Sequence, residues 1–319
     1  MPRSSDLQSA KAIIVFAGTL AIILSCSAQL KSPDLQTKAV QVEMKNIMYH
    51  FTPQIVVHIE RLKGALVPTQ PDSIPIFDDT RSFKLSISAA EISISTTAMA
   101  NVLNQYVFAA KDAPLKELSL ATDHSLLKVK GKLHNKGDVS FEVDAAMSAA
   151  PDGQIRLHAK NVRAAHLSVK GLMDLFGVEL SDLINTRKIA GVRAEDNDLV
   201  LNPEQILPPP HIEGHVTQVR LEADRIIQTF GDGAVRVASP GNYMAYRGNQ
   251  LHFGKLTMAD TDMILMDMDP QDPFDFYLDH YKDQLAAGNV KVTTAFGLRV
   301  YMRDFNKLRR SAQRRSSVH

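Results

Sequence analysis

Apolar and polar residues alternate with a period of two through most of this 319-residue chain, and no other sequence feature restricts the fold as strongly. Such alternation is typical of strands that bury one face and expose the other. The cleanest alternating run, from 139 to 147, is followed by the turn residues Pro151, Asp152 and Gly153 and by a second run from 155 to 159. Alternation on both sides of a turn predicts a β-hairpin.

Further alternating segments predict strands over much of the remaining chain. They lie at 55–59, 83–94, 129–133, 192–201 (with a bend at 196–198), 212–221, 226–230, 251–258 and 290–302. The regular exchange of strand and helix that builds a parallel sheet is missing, so the pattern predicts an α+β protein with an antiparallel sheet. Three prolines at 208–210 have strand-like sequence on both sides. We interpret them as a stiff connection within a single domain at 29–305.

Three segments show the three- and four-residue spacing of apolar residues that predicts a helix. The first follows candidate N-cap residues at 95–97 and ends before Ala113-Pro114. The second covers 172–184, where Gly177 costs about 1 kcal/mol relative to Ala and favours two short helices. The third covers 274–287 and ends at Gly288-Asn289. Strands are therefore expected to outnumber helices.

The first 28 residues differ in composition from the rest. A short basic start is followed by 13 uncharged residues at 12–24 and by small residues at 25–28. A membrane-spanning helix needs about 20 apolar residues, so this shorter run is typical of a signal peptide. Residues 23–26 (Ile-Leu-Ser-Cys) resemble a bacterial lipobox and predict lipidation at Cys26. The alternatives are cleavage after Ala28 and an uncleaved anchor; each predicts an exported body, periplasmic or membrane-anchored.

Charge is unevenly distributed near the C-terminus. The segment 260–283 contains eight aspartates and one lysine, whereas 299–319 contains seven basic residues and one acidic residue. The tail at 306–319 has few apolar residues and is predicted to be basic and unfolded. The whole chain carries a formal charge of +1, so nucleic acid is not an expected partner. The tail could contact an anionic membrane surface, contact the acidic segment or have no partner.

Catalytic and metal-binding motifs are missing from the sequence. It contains no G-x-S-x-G, no H-E-x-x-H and no phosphate-binding glycine loop. Asp267, Asp269 and Asp272 suggest a calcium loop, but the glycine and distal glutamate of an EF-hand are missing. One cysteine excludes an intramolecular disulfide and a cysteine-based zinc cluster. No enzymatic activity, cofactor or metal is predicted; a hydrolase with an unrecognised site is kept as a minor alternative.

Four stretches of the chain resemble the LmeA-like phospholipid-binding family, which consists of exported bacterial proteins of the tubular lipid-binding (TULIP) superfamily. These are ISISTTAMANVLNQYV (92–107), VSFEVDAAMSAAPDGQIRLHAKNV (139–162), VKGLMDLFGVELSDLI (169–184) and DLVLNPEQILPPPHIEGHVTQVRLE (198–222). The likeness is a pattern of alternating strands with a helix, it covers somewhat under half of the chain, and it excludes 232–319.

The resemblance implies a highly curved antiparallel sheet wrapped around one or two helices, a TULIP-like half-barrel with an apolar groove. It also implies a phospholipid or other acyl-chain ligand, a membrane surface as partner, and a role in envelope lipid transport or maintenance. It identifies no binding residues. From the apolar helix faces we expect the groove to be lined by Val102, Leu103, Tyr106, Leu172, Leu175 and Phe176. The alternative is a non-catalytic structural or scaffolding envelope lipoprotein with a sealed core; the oligomeric state is left open.

Overall fold

Two large curved sheets dominate the molecule. The computed structural model describes residues 38–134, 138–164, 167–168, 180–232, 235 and 241–316. Strands make up 56% of the structure and helices are few, as the sequence predicts. Over these ranges neither large sheet closes into a barrel. No helix in the described part of the chain has both the length and the apolar character needed to span a bilayer.

Twenty strands and five α-helices follow one another in the described part of the chain. The strands are β1 (Val40–Thr52), β2 (Ile55–Pro68), β3 (Phe83–Ser95), β4 (Leu115–Asp123), β5 (Leu126–His134), β6 (Asp138–Ala149), β7 (Ile155–Ala164), β8 (Leu167–Ser168), β9 (Val192–Glu195), β10 (Asp198–Leu201), β11 (His211–Gly214), β12 (Val216–Glu222), β13 (Arg225–Phe230), β14 (Tyr243–Gly248), β15 (Leu251–Phe253), β16 (Leu256–Met258), β17 (Thr261–Asp267), β18 (Phe274–Tyr277), β19 (Asn289–Val292) and β20 (Leu298–Met302). The helices are α1 (Thr96–Val102), α2 (Leu180–Leu183), α3 (Pro203–Ile206), α4 (Tyr281–Ala286) and α5 (Phe305–Ser316), with a π-turn at Leu103–Val107 and a 3-10 turn at Leu278–His280.

The first sheet is built around the three long strands β1, β2 and β3. Its order is β12-β13-β3-β2-β1-β14-β17-β20-β19, with β11 also paired to β3 and β18 to β1. Most pairings are antiparallel, but β11–β3, β18–β1 and β20–β17 are parallel. The first sheet is therefore mixed, where the sequence predicts an antiparallel sheet. Because β1 and β3 are 13 residues long, each has room along one edge for an antiparallel strand and a parallel strand.

The second sheet is antiparallel throughout and has the order β4-β5-β6-β7-β10-β9, with β8 beside β7. Its centre is the hairpin of β6 and β7, and this hairpin confirms the clearest sequence prediction. The connecting turn needs Gly153, which has a φ of +80°. A Cβ atom there would lie 2.5 Å from Nδ1 of His215.

Helix α1 lies between the two sheets and contacts β2, β3 and β4. Its start confirms the predicted cap: the Ser95 hydroxyl accepts a hydrogen bond of 3.0 Å from the Ala98 amide. Met99 and Val102 are buried in the main core. The helix then continues as the π-turn, so helical structure ends at Val107, before the predicted boundary at Ala113-Pro114.

The predicted helix at 274–287 is wrong in its first half. Residues 274–277 form β18, whose four side chains are all buried, and only the second half continues as the 3-10 turn and α4. Phe274 and Phe276 are 0% and 1% exposed, and the strand runs parallel to β1. Burial on both faces removes the alternation that would have identified a strand from the sequence.

Several predicted strands are divided, and six strands lie outside the predicted ranges. The segments 192–201, 251–258 and 290–302 are each two antiparallel strands joined by a turn, and 212–221 contains β11 and β12. The unpredicted strands are β1, β4, β8, β14, β17 and β18. In β1, Asn46 has a φ of +54° and interrupts the alternation, while β14 and β17 contain continuous buried runs.

The C-terminal segment forms α5 over Phe305–Ser316, where the sequence predicts an unfolded tail from 306. Its first turn is fixed by buried groups of the acidic segment: the Asn306 amide donates a hydrogen bond of 2.9 Å to the Asp275 carboxylate. Lys307 lies 3.0 Å from Asp272. The acidic segment thus contacts the basic one at this point, as one of the alternatives for the tail predicts.

Candidate functional site

An apolar cavity lies against one face of the second sheet. It has a volume of about 220 Å³, and we call it the alkyl cavity. Its described lining comes from the π-turn and the residues after it, from β4–β7 and β10, and from α2 and its end. These lining residues are Leu103, Phe108, Leu115, Leu118, Leu120, Val129, Leu133, Phe141, Val143, Ala145, Leu157, Ala159, Val162, Ala164, Leu180, Ile184, Leu199 and Leu201. Every one of them is apolar.

The alternation of β6 and β7 produces this apolar face directly. Phe141, Val143 and Ala145 point to one side of β6, because successive strand residues face opposite sides. The other side carries Glu142, which lies 3.4 Å from Lys130 of the neighbouring strand. Ion pairs therefore cover the outer face of this sheet while methyl and phenyl groups line the cavity.

The wall nearest α1 is held by one amide side chain. In β4 the pairing register shifts between Lys116 and Ser119, so the backbone of Leu118 is not paired with β5. The Asn104 side chain, in the π-turn, donates to the Leu118 carbonyl at 2.8 Å and accepts from the Leu118 amide at 2.9 Å. Asn104 thereby fixes both Leu103 and Leu118 at the cavity wall.

A second cavity of about 60 Å³, the aromatic cavity, lies against the first sheet. Phe77 is at the centre of its rings, with ring centroids 5.6 Å from Tyr246 and 6.1 Å from Phe276. Burial raises the pKa of the Tyr246 hydroxyl well above its usual range, so this group stays neutral. The aromatic cavity is the smaller of the two.

The two cavities are neighbours along shared elements. On the helical segment, Met99 lines the aromatic cavity and Leu103 lines the alkyl cavity. On β7, Ile155 lines the aromatic cavity and Leu157 lines the alkyl cavity. Four helical residues rise about 6 Å and two strand residues about 7 Å. About one layer of side chains therefore separates the cavities, and together they form an elongated apolar interior.

The size of the alkyl cavity limits what it can hold. It exceeds the roughly 150 Å³ of an engineered apolar cavity that takes up benzene, and it is smaller than the roughly 300–1,000 Å³ typical of ligand pockets. With no polar group on its described wall, it offers no partner for a headgroup or for water. The arrangement suits a segment of hydrocarbon chain.

Three of the six expected groove residues, Val102, Leu103 and Tyr106, lie in the described part of the chain, and the structure places them differently from one another. Leu103 lines the alkyl cavity, whereas Val102 is fully buried in the core and lines neither cavity. Tyr106 is 44% exposed, and Cys26, Leu172, Leu175 and Phe176 lie outside the described residues.

Most of the described cavity wall comes from strands and not from the helix faces that the sequence predicts. The alternation of Val143, Ala145, Leu157 and Ala159 predicts the hairpin and its inward face. Alternation alone does not distinguish a filled core from a hollow one, so it does not predict a binding wall.

The main buried polar cluster lies outside both cavities. His50 and Asp275 are hydrogen bonded through Nε2 and Oδ1, and both side chains are 9% exposed. Gln284, which is fully buried, accepts from the Tyr277 amide at 3.0 Å and donates to the Asp275 carbonyl at 2.9 Å. This network ties β1, β18 and α4 together. No Ser, Thr or Cys hydroxyl or thiol contacts His50 among the hydrogen bonds of the described residues.

Asp304 lies beside this cluster and is 1% exposed. It accepts a hydrogen bond of 2.9 Å from the Asp275 amide and lies 2.7 Å from Nζ of Lys307. Burial raises its pKa to about 6, and the hydrogen bond from Lys307 partly opposes that shift. The Asp residues around Lys307 form ion pairs, and no group of three or more His, Cys, Asp or Glu side chains in the described ranges has a metal-binding arrangement.

Comparison with known proteins found no match among protein-family models, curated protein sequences or solved structures. The resemblance to the LmeA-like family therefore stays a prediction based on four sequence stretches. The function of the chain has to be inferred from the cavity itself.

Proposed function

We propose that this chain is an exported, membrane-anchored protein that holds lipid acyl chains in its apolar interior, without catalysis. The observation that carries the proposal is the alkyl cavity of about 220 Å³ with an entirely apolar described wall. Burying hydrocarbon contributes about 0.8 kcal/mol per CH₂ group, so a tail segment of several methylenes gains useful affinity there. The headgroup stays outside the cavity, where polar residues and water solvate it.

The arrangement of the elements supports a TULIP-like interpretation. A curved, amphipathic sheet has its apolar face toward the helical segment that begins at Thr96, and the interior is elongated because the aromatic cavity continues it. Export and attachment through Cys26 follow from the sequence of the first 28 residues. A role in envelope lipid transport or maintenance is the expected biological setting.

A structural or scaffolding protein with a sealed core is the second candidate. The tight packing around the aromatic cavity, only about 60 Å³ in volume, favours this alternative for the first sheet. It predicts that the alkyl cavity is a packing defect with no occupant, so filling it should improve stability and change nothing else.

Filling the alkyl cavity separates these two candidates. Ala145 is 3% exposed and lines the cavity, and the next residue, Ala146, faces the opposite side of β6. We expect Ala145→Leu to abolish uptake of a fluorescent fatty acid by the full chain, because the added methyl groups occupy the site of the tail. Ala146→Leu is the matched control and should keep uptake unchanged.

The measurement combines fatty-acid titration with native mass spectrometry of the purified full chain. Lipid that co-purifies with the wild type and with Ala146→Leu, but not with Ala145→Leu, is the expected result. Equal uptake by all three chains, or no uptake by the wild type after delipidation, would contradict the proposal. Thermal unfolding of each variant checks that the loss is not due to misfolding.

A further inference from the structure

Large exposed apolar side chains are concentrated on the hairpin of β19 and β20. Among the described residues, the three most exposed of them are Phe296 at 90%, Val292 at 65% and Val290 at 48%. All three lie within seven residues of each other, at one edge of the first sheet. Contiguous exposed apolar groups on a folded surface mark interaction sites more often than isolated ones do.

The turn is built so that Phe296 points into solvent. Phe296 has a φ of +61°, a conformation that aromatic residues rarely adopt. The turn is closed by three hydrogen bonds: the Thr293 amide donates to the Gly297 carbonyl at 2.8 Å, the Phe296 amide to the Thr293 carbonyl at 2.9 Å, and the Gly297 amide to the Thr293 hydroxyl at 2.9 Å. An unfavourable conformation held by several bonds is a feature of sites where geometry matters.

The tip also carries no charge. Residues 292–298 (VTTAFGL) contain no ionisable side chain. The nearest basic groups are engaged elsewhere: Lys291 lies 5.2 Å from the ring centre of Tyr301, and Arg299 lies 3.0 Å from Asp262. The tip can therefore be buried in an apolar environment without the desolvation of an unpaired charge.

The position of the tip indicates which apolar partner it meets. Val40, the first residue of β1, pairs with Gly248 of β14, and Gly248 pairs with Thr261, the first residue of β17. Two residues further along β17, Met263 pairs with Leu298 at the base of the turn. The described chain thus begins at the same end of the first sheet as the Phe296 tip. The uncharged segment 12–24 precedes residue 38 by 13 residues, a span of at most roughly 45 Å. A bilayer that held this segment would be within reach of the Phe296 tip.

We propose that the Phe296 tip, with Val290 and Val292 behind it, inserts into the headgroup region of a lipid bilayer. The hairpin then orients the body at the membrane as a second contact beside the N-terminal segment. The proposal rests on the membrane attachment given under the proposed function but not on the acyl-chain site, because none of these three residues lines either cavity.

A tryptophan at the tip reports its environment directly, since the chain contains no Trp. We expect the emission of full-length Phe296→Trp to shift to shorter wavelength on addition of phosphatidylethanolamine–phosphatidylglycerol vesicles, and to be quenched by brominated acyl chains. The matched control is Val139→Trp, at a residue that is 42% exposed on β6 of the second sheet. Its emission should not change.

A second substitution tests the supporting residues. Adding Val292→Ser to Phe296→Trp should raise the lipid concentration at the half-maximal shift by about threefold or more, because less apolar surface is buried. No shift at Phe296→Trp in vesicle-bound protein, or an equal shift at Val139→Trp, would overturn the proposal. So would a shift without vesicles that grows with protein concentration, since the tip would then contact a second copy of the chain.

Discussion

At the scale of single residues, the pKa of Asp304 is subject to two opposing effects, burial and hydrogen bonding. Its carboxyl group is almost fully buried, yet it accepts the Asp275 amide hydrogen bond and faces Lys307. Burial is the larger effect, so its pKa rises from 3.8 to about 6. The folded protein therefore binds this proton more tightly than the unfolded chain does.

This difference predicts a pH dependence of stability. Between about pH 4 and pH 6 the folded state holds more protons at Asp304, so the free energy of unfolding falls as the pH rises. Asp304→Asn keeps the acceptor for the Asp275 amide and cannot ionise. Relative to that variant, the wild type should lose up to about 3 kcal/mol between pH 4 and pH 7.

Urea denaturation of both proteins across that pH range measures the effect. The control Asp260→Asn changes an exposed carboxyl group and should follow the wild-type curve. Parallel curves for the wild type and Asp304→Asn would show that Asp304 has no proton linkage to folding.

A second prediction at this scale concerns the effect of Phe296 on stability. Asn tolerates a positive φ better than Phe does, and the Phe296 ring buries almost no surface. Phe296→Asn should therefore raise the free energy of unfolding by about 0.5–1 kcal/mol. Leu256→Asn, at a position with a comparable exposed apolar residue, should not. A clear loss of stability in Phe296→Asn would mean that the ring packs against the fold.

At the scale of elements, Asn104 joins the π-turn to β4. Its two hydrogen bonds satisfy the amide and the carbonyl of Leu118, which is 5% exposed. Leaving buried backbone groups without partners costs about 1–3 kcal/mol. We expect Asn104→Ala to lower the free energy of unfolding by that amount, and to weaken fatty-acid uptake because Leu103 and Leu118 lose their fixed positions.

The comparison for this prediction is Asn101→Ala. Asn101 donates one exposed hydrogen bond of 3.0 Å to the Gln54 carbonyl, so its loss should cost well under 1 kcal/mol. Equal destabilisation by the two variants in thermal or urea unfolding would contradict the role assigned to Asn104.

Elements with one buried face could be predicted from the sequence, and elements buried on both faces could not. The β6–β7 hairpin has clean alternation and a Pro-Asp-Gly turn, and Ser95 signals the start of α1. The strand β18 has four consecutive buried residues, so its apolar and polar side chains give no strand period. In β1 the alternation is interrupted at Asn46, where the backbone adopts a positive φ.

At the scale of the whole molecule, the curvature of the second sheet decides whether its apolar face is filled or hollow. Leu103 was predicted at the cavity from the helix pattern, but the wall of β4–β7 and β10 was not. A sequence specifies which residues point inward, whereas the volume between them depends on long-range pairing and on bulges such as the one opposite Gly131. The volume of the cavity is therefore defined only by the assembled sheets.

The most direct test of the central claim is photo-crosslinking of the full chain with a fatty acid that carries a diazirine near the end of its tail. Mapping of the labelled peptides should place the tail on the alkyl-cavity strands, within 141–164 and 199–201, with labelling suppressed in Ala145→Leu and retained in Ala146→Leu. Labelling confined to the exposed hairpin around Phe296, or spread evenly over the surface, would contradict an acyl-chain site inside the second sheet.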